Sequence, residues 1–216
     1  MNTKKILAVV ALTAVAASGA VASSREYSGF YAGANMGTQT HDIHDDIKCK
    51  RTKPLAELLV GYDRKIEDFK LGVELLAGTI IGKMRYNNRD GYTEYRCKYK
   101  TPWCISLMPR VGLVAPKFEL YGTFGVRIAN VKLDVRDIYG IIFETGKKGR
   151  RSHFQPLVGL GMRYEISNCA FVKLEYNYGF NTPLRFRIGK SGGGRDDVWV
   201  LKLQSHTAKL GFGVRF

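Results

Sequence analysis

From Thr207 to Phe216 apolar and polar positions alternate without a break. Ala208, Leu210, Phe212, Val214 and Phe216 stand against Thr207, Lys209, Gly211, Gly213 and Arg215. A period of two predicts a β-strand with one apolar and one polar face. The same alternation recurs upstream. Ser28 to Thr38 sets Phe30, Ala32, Ala34 and Met36 against Tyr31, Gly33, Asn35 and Gly37. Leu55 to Asp63 sets Ala56, Leu58, Val60 and Tyr62 against Leu55, Glu57, Leu59 and Gly61. From Phe69 to Gly78, Leu71, Val73 and Leu75 oppose Lys70, Gly72 and Glu74. Four more such segments are expected at Trp103–Leu113, Phe118–Asn130, His153–Glu165 and Ala170–Phe180. LAELL at 55–59 also suits a helix, since Ala, Glu and Leu are good helix formers, but Gly61, Gly72 and Gly78 favour a hairpin. Pro109 falls on the apolar set of its strand, where a missing N–H predicts a bulge or a local break in the ladder.

Eight strands result, and the connections between them alternate long, short, long, short, long, short, long. Gln39–Lys53, Lys83–Pro102, Lys132–Arg151 and Asn181–Val198 are the long polar ones. Arg64–Asp68, Val114–Lys117 and Ser167–Asn168 are the short ones. An even number of strands of about ten residues, with short turns at one end and long loops at the other, fits a barrel that crosses a bilayer. The strand faces agree. One face is large and apolar. The other is rich in glycine and carries Glu57, Glu74, Arg110, Arg127, Arg163, Lys173, Glu175, Lys209 and Arg215. A soluble sandwich or lipocalin-like barrel would bury the apolar face, whereas lipid as solvent wants it outside. The expected fold is all-β: a monomeric eight-stranded antiparallel up-and-down transmembrane β-barrel.

The beginning of the chain points to the compartment. Lys4 and Lys5 precede an almost wholly apolar run, Ile6–Ala17, and Ala20-Val21-Ala22 forms a small-residue cleavage site. This is the pattern of a secretory signal peptide, too short to span a membrane. Residues 1–22 are therefore expected to be the signal and residues 23–216 the barrel. No later stretch approaches the roughly 18 consecutive apolar residues of a membrane helix. The formal net charge is +15, with 24 Gly and only 6 Pro. Such a basic chain suits nucleic acid, but export argues for lipid phosphates and acidic glycans instead. The four long connections carry net charges of +1, +4, +3 and +2, or +10 in all. Lys147, Lys148, Arg150 and Arg151 form the densest run, a candidate polyanion-binding segment. Tyr86, Tyr92, Tyr95 and Tyr99 are interleaved with the charges of the second long connection.

The segments GFYAGANMG, FELYGTFGV, VGLGMRYEI, FVKLEYNYGF and LGFGVRF resemble the outer-membrane β-barrel domain family, across essentially the whole mature chain. That family includes OmpA-type, OmpX-type and opacity-type surface proteins and small "porin family" antigens. The resemblance implies the bacterial outer membrane, with lipopolysaccharide and the barrel assembly machinery as partners. It makes Phe212, Val214 and Phe216 the assembly signal. The periplasmic peptidoglycan-binding domain of full OmpA-type proteins is not found after the last strand, which makes a cell-wall tether doubtful. Enzymes on similar small barrels would be lipid A deacylases, palmitoyl transferases or omptin-type proteases.

Those chemistries need a histidine within reach of a nucleophile or carboxylate. His206 lies beside Ser205 and Thr207, but adjacent strand residues face opposite ways. His41 and His44, with Asp42, Asp45 and Asp46, match no defensible ligand spacing and read as a solvated loop. No catalytic residue, metal or cofactor is assigned. The reading is a structural or surface-interaction barrel, adhesin-like, with a small porin or a lipid A-modifying enzyme as alternatives. Export permits disulfides. Cys97 is the candidate partner of Cys49 or Cys104, with four reduced thiols as the alternative, while Cys169 belongs to a turn at the other end, about 25 Å of apolar band away. Inside, Glu74 and Arg110 are expected to pair across neighbouring strands, as are Glu175 and Lys209. Glu57 and Arg127 are further candidates for lumen ion pairs.

Overall fold

The structure is a computed structural model that describes residues 28–43, 49–82, 84–90, 93–137, 147–190 and 196–216. The signal segment 1–22 lies outside the described residues. Among the described residues nine strands follow one another: β1 Gly29–Ile43, β2 Cys49–Ile66, β3 Phe69–Ile80, β4 Met84–Asp90, β5 Thr93–Val114, β6 Phe118–Asp137, β7 Lys147–Ser167, β8 Ala170–Lys190 and β9 Asp196–Arg215. Eight of them form an antiparallel barrel, each pairing with its neighbours in the order β1, β2, β3, β5, β6, β7, β8, β9. Closure is direct. β9 runs against β1 from Tyr31↔Arg215 to Ile43↔Leu203, and the Phe216 amide donates to the Phe30 carbonyl at 3.0 Å. Among the described residues the ring of eight strands is closed, with β3 pairing β5 from Phe69 to Gly78. β4 stands apart, as a hairpin partner of the upper part of β5 with Met84 opposite Tyr99.

The strands exceed their expected lengths at the long-loop end. Asn181–Val198, expected to be loop, is mostly strand: β8 continues to Lys190 and β9 begins at Asp196. Likewise β1 and β2 run on to pair Ile43 with Cys49, and β4 lies inside what read as the second loop. The physical reason is a change of solvent. Beyond the bilayer both faces of the sheet meet water, so the apolar alternation fades while backbone pairing continues. At the other end the connection after β2 shrinks to Glu67-Asp68, and Glu67 takes a left-handed φ of 55°.

The expected outward set faces lipid: Phe30, Met36, Leu75, Leu107, Phe124, Leu160, Leu174 and Phe212 are all exposed. At Pro109 a break occurs without a bulge. Pairing between β5 and β6 skips from Leu107↔Val126 to Arg110↔Thr123 in unchanged register. The bulge of that strand lies higher, between Lys100 and Trp103. Inside, Tyr31, Leu59, Leu76, Met108, Leu157 and Phe171 form a small apolar cluster. Its aromatic members need room. Tyr31 lies directly across from Gly61, and Phe171 from Gly213, and a β-carbon on either glycine would collide with the ring.

Candidate functional site

The interior is crossed by one alternating sequence of cations and carboxylates. At the short-turn end Arg215 meets Glu165 at 3.0 Å, and Lys70 bridges Glu165 at 3.5 Å and Glu119 at 2.9 Å. Arg110 then lies against Glu119 at 2.8 Å, Asp63 at 3.0 Å and Glu74 at 3.3 Å. Arg163 approaches Asp63 at 2.6 Å and Glu74 at 3.4 Å. Lys173 joins Glu74 to Glu175. Lys209 carries the series on, 3.0 Å from Glu175 and 3.2 Å from Glu57, and Arg127 ends it 3.3 Å from Glu57. These side chains are nearly inaccessible to solvent, with Arg163 and Asp63 at 0%.

Neutral side chains complete the packing. Tyr31 Oη donates to Glu74 Oε1 at 2.9 Å, and Tyr121 Oη to Glu175 Oε2 at 3.1 Å. The Arg163 guanidinium lies 3.9 Å from the centre of the Phe171 ring, and that of Arg110 lies 4.7 Å from Tyr121. Arg127 donates to Gln39 at 2.9 Å and Ser106 at 3.1 Å. Burying this many charges is costly, and their mutual attraction offsets that cost only when each is paired and hydrogen-bonded. Every charged side chain of the series has an oppositely charged partner, while the Arg163 Nε is buried without a hydrogen-bond acceptor.

The structure thus places Glu74 beside Arg110, Glu175 opposite Lys209 in register, and Glu57 beside Arg127. None of them is an isolated pair. Glu74 alone touches Arg110, Arg163 and Lys173. Asp63, two positions beyond Gly61 on the inward face of β2, was not anticipated as a partner. Continuing the alternation of that strand by one step would have found it.

Of the two candidate cysteine pairings, the one with Cys104 needs correction. Cys104 is a free thiol buried in the barrel, and Cys169 is free and exposed. Cys97 and Cys104 share strand β5, which at about 3.3 Å per residue sets them roughly 23 Å apart, far beyond the 7 Å a disulfide tolerates. The side chains of Cys49 and Cys97 lie outside the described residues.

The histidines also differ from expectation. His41 is not in a solvated loop. It faces inward from β1, buried against the Tyr99 ring at 5.5 Å, and Tyr99 is itself buried rather than displayed. His44, Asp45 and Asp46 are outside the described residues. His153 Nε2 shares a 2.6 Å hydrogen bond with Thr182 Oγ1. His206 faces outward and meets Tyr176 Oη through Nδ1 at 2.6 Å, while Ser205 and Thr207 point into the barrel. Among the described residues no histidine is paired with a carboxylate, and no group of three or more metal-ligating side chains occurs.

The outer end is basic. Lys50, Arg51, Lys100, Lys132, Arg150, Arg151, Arg185 and Lys202 are exposed. Asp42 is the one carboxylate among the described side chains there. The run at 147–151 is not a free loop. It is the first part of β7, with Lys147 opposite Val135 and Arg151 opposite Val131. The side chains of Lys147 and Lys148 lie outside the described residues. Phe212 and Phe216 are exposed on the lipid face of β9, with Val214 half-buried between them.

The model of the outer membrane protein beta-barrel domain matches residues 7–216. The chain belongs to this family. It is a bacterial outer-membrane β-barrel protein. A 22 kDa outer membrane protein of Rhizobium leguminosarum bv. viciae is 25% identical over 193 residues, covering 88% of this chain and 78% of that one. Among solved structures, the outer membrane protein OprG of Pseudomonas aeruginosa aligns with a TM-score of 0.53 at 15% identity, over 88% of this chain and 97% of its own. Neisserial surface protein A aligns with a TM-score of 0.48 at 15% identity, over 87% and 97%. The likeness to OprG shows the shared fold. What this member of the outer membrane protein beta-barrel domain family does has to be argued from its own residues.

Proposed function

We propose that this protein is a non-enzymatic, non-conducting surface barrel whose basic outer end meets anionic material outside the cell. The observation that carries the reading is the lumen: the cation–carboxylate series from Arg215 to Arg127 fills the cross-section with fixed side chains. Eight strands enclose an interior that side chains can fill. A filled, rigid interior suits a scaffold for presenting the outer end. That end carries exposed cations far in excess of carboxylates among the described side chains, which attracts polyanions over long range.

The assay is binding of a sulfated glycan to the detergent-folded mature protein at rising salt. Binding should weaken steeply, because screening reaches about 8 Å at physiological ionic strength. Changing Lys147, Lys148, Arg150 and Arg151 together to Gln should lower it further while heat-modifiable migration on gels persists. Binding that ignores both salt and the quadruple change would defeat the electrostatic reading. Release of acyl chains from lipid A by the pure protein would instead establish an enzyme.

A further inference from the structure

The bulge between Lys100 and Trp103 reverses which residues of β5 face the lumen. Below it Cys104, Ser106, Met108 and Arg110 are buried; above it Tyr99 and Thr101 are. Lys100 is thereby turned to the outer surface, where it is exposed. It stands directly opposite Lys132 on β6, and Lys132 stands directly opposite Arg150 on β7. Three exposed cations on three adjacent strands form a single rung. Directly opposed residues have β-carbons about 5 Å apart, and like charges so placed are destabilising. None of the three forms an ion pair with a carboxylate among the described residues.

The rungs around it are different. One step above, Asp134 stands in register between Lys98 and Lys148, so that rung includes a carboxylate. The next rung below holds Trp103, Asn130 and Ser152, and Asn130 Oδ1 accepts a 3.0 Å hydrogen bond from Arg150 Nε. This bond fixes the plane of the guanidinium through one edge. Below that come Ile105, Ile128 and Phe154, all apolar and exposed. The three cations therefore lie four residues above the apolar band, about 13 Å along the strand and about 10 Å along the membrane normal at a tilt near 40°. An interfacial tryptophan lies between. That is the depth of lipid headgroups.

We propose that Lys100, Lys132 and Arg150 bind the phosphate of an anionic lipid in the outer leaflet. A phosphate placed there removes the like-charge repulsion along the rung and takes a bidentate bond from the planar arginine. A lipid suits the site better than a soluble glycan does, because its acyl chains lie along Ile105, Ile128 and Phe154 while its headgroup reaches the cations. The site is on the flank of the barrel; it shares Arg150 with the proposed polyanion contact, whereas Lys100 and Lys132 belong to the rung alone.

The test is native mass spectrometry of the mature protein folded in detergent, with bisphosphorylated lipid A and the same lipid without its phosphates as probes. The wild type should retain the phosphorylated lipid, and K100Q/K132Q should weaken retention about tenfold or more. Arg150→Lys should give a smaller loss, because the charge stays and the planar fork goes. K50Q/K202Q, which removes as much charge elsewhere on the outer end, should leave retention within about twofold. If the double variant does not fold, Lys132→Gln alone carries the comparison. Equal retention in K100Q/K132Q would overturn the proposal, as would equal retention of the dephosphorylated lipid. An equal loss in K50Q/K202Q would reduce it to bulk charge. Displacement of lipid A by an equimolar sulfated glycan would assign the rung to a soluble ligand.

Discussion

Arg163 and Lys132 are both cations on strands of one barrel, and their surroundings are opposite. Arg163 is buried among Asp63, Glu74 and two aromatic rings. Lys132 is exposed between Lys100 and Arg150. In the first arrangement each charge has an oppositely charged partner, drawn from several strands of the barrel. In the second, no carboxylate among the described residues pairs with the cations. Cations thus do structural work inside and, in our proposal, recognition work outside, and the difference lies in whether a carboxylate among the described residues faces them.

If that contrast is right, substitutions in the two places should change stability in opposite directions. Glu74→Gln removes the negative charge shared by Arg110, Arg163 and Lys173. It should cost about 3–5 kcal/mol, the range for leaving buried charge uncompensated. Urea unfolding in detergent micelles, followed by loss of heat-modifiable migration, reads this directly. A loss below about 1 kcal/mol would mean that water screens the lumen and the network is weaker than its geometry.

Lys132→Gln is the mirror experiment, with a smaller effect of opposite sign. Relieving two like-charge contacts on the outer rung should stabilise the lipid-free protein by about 0.2–1 kcal/mol. Raising salt should erase that gain, because the rung is exposed and screened, while the Glu74→Gln deficit should persist. A destabilised Lys132→Gln protein would break the comparison, because it would show that Lys132 is already satisfied.

The sequence reveals the barrel more clearly than it reveals the site. Within the bilayer, lipid and lumen impose opposite polarity on successive residues, so Leu210, Phe212 and Lys209 declare their faces by position alone. The inward charges are legible for the same reason, although the Glu175↔Lys209 pair joins β8 and β9 across a long connection, so no short turn sets its register. The network beyond simple pairs is not legible. Arg163 reaches Asp63 across the lumen from a strand not adjacent to β2, and such contacts depend on the width and shear of the closed barrel. Beyond the membrane the polarity code stops, so the upper strands read as loops and β4 was invisible. The bulge between Lys100 and Trp103 reverses the faces of β5, and Pro102 within it is a residue that marks bulges, although in the sequence it reads as the end of a loop. Tyr99 and Lys100 could not have been assigned to their sides from alternation.

The closed lumen is the central claim, and single-channel recording of the mature protein in a planar bilayer addresses it most directly. With the cation–carboxylate series intact, the membrane should show no discrete conductance steps at either polarity, and Glu74→Gln should be the variant that begins to leak. Steady steps from the unaltered protein, proportional to the amount inserted and carried by its folded form, would contradict a filled interior and make this barrel a narrow pore.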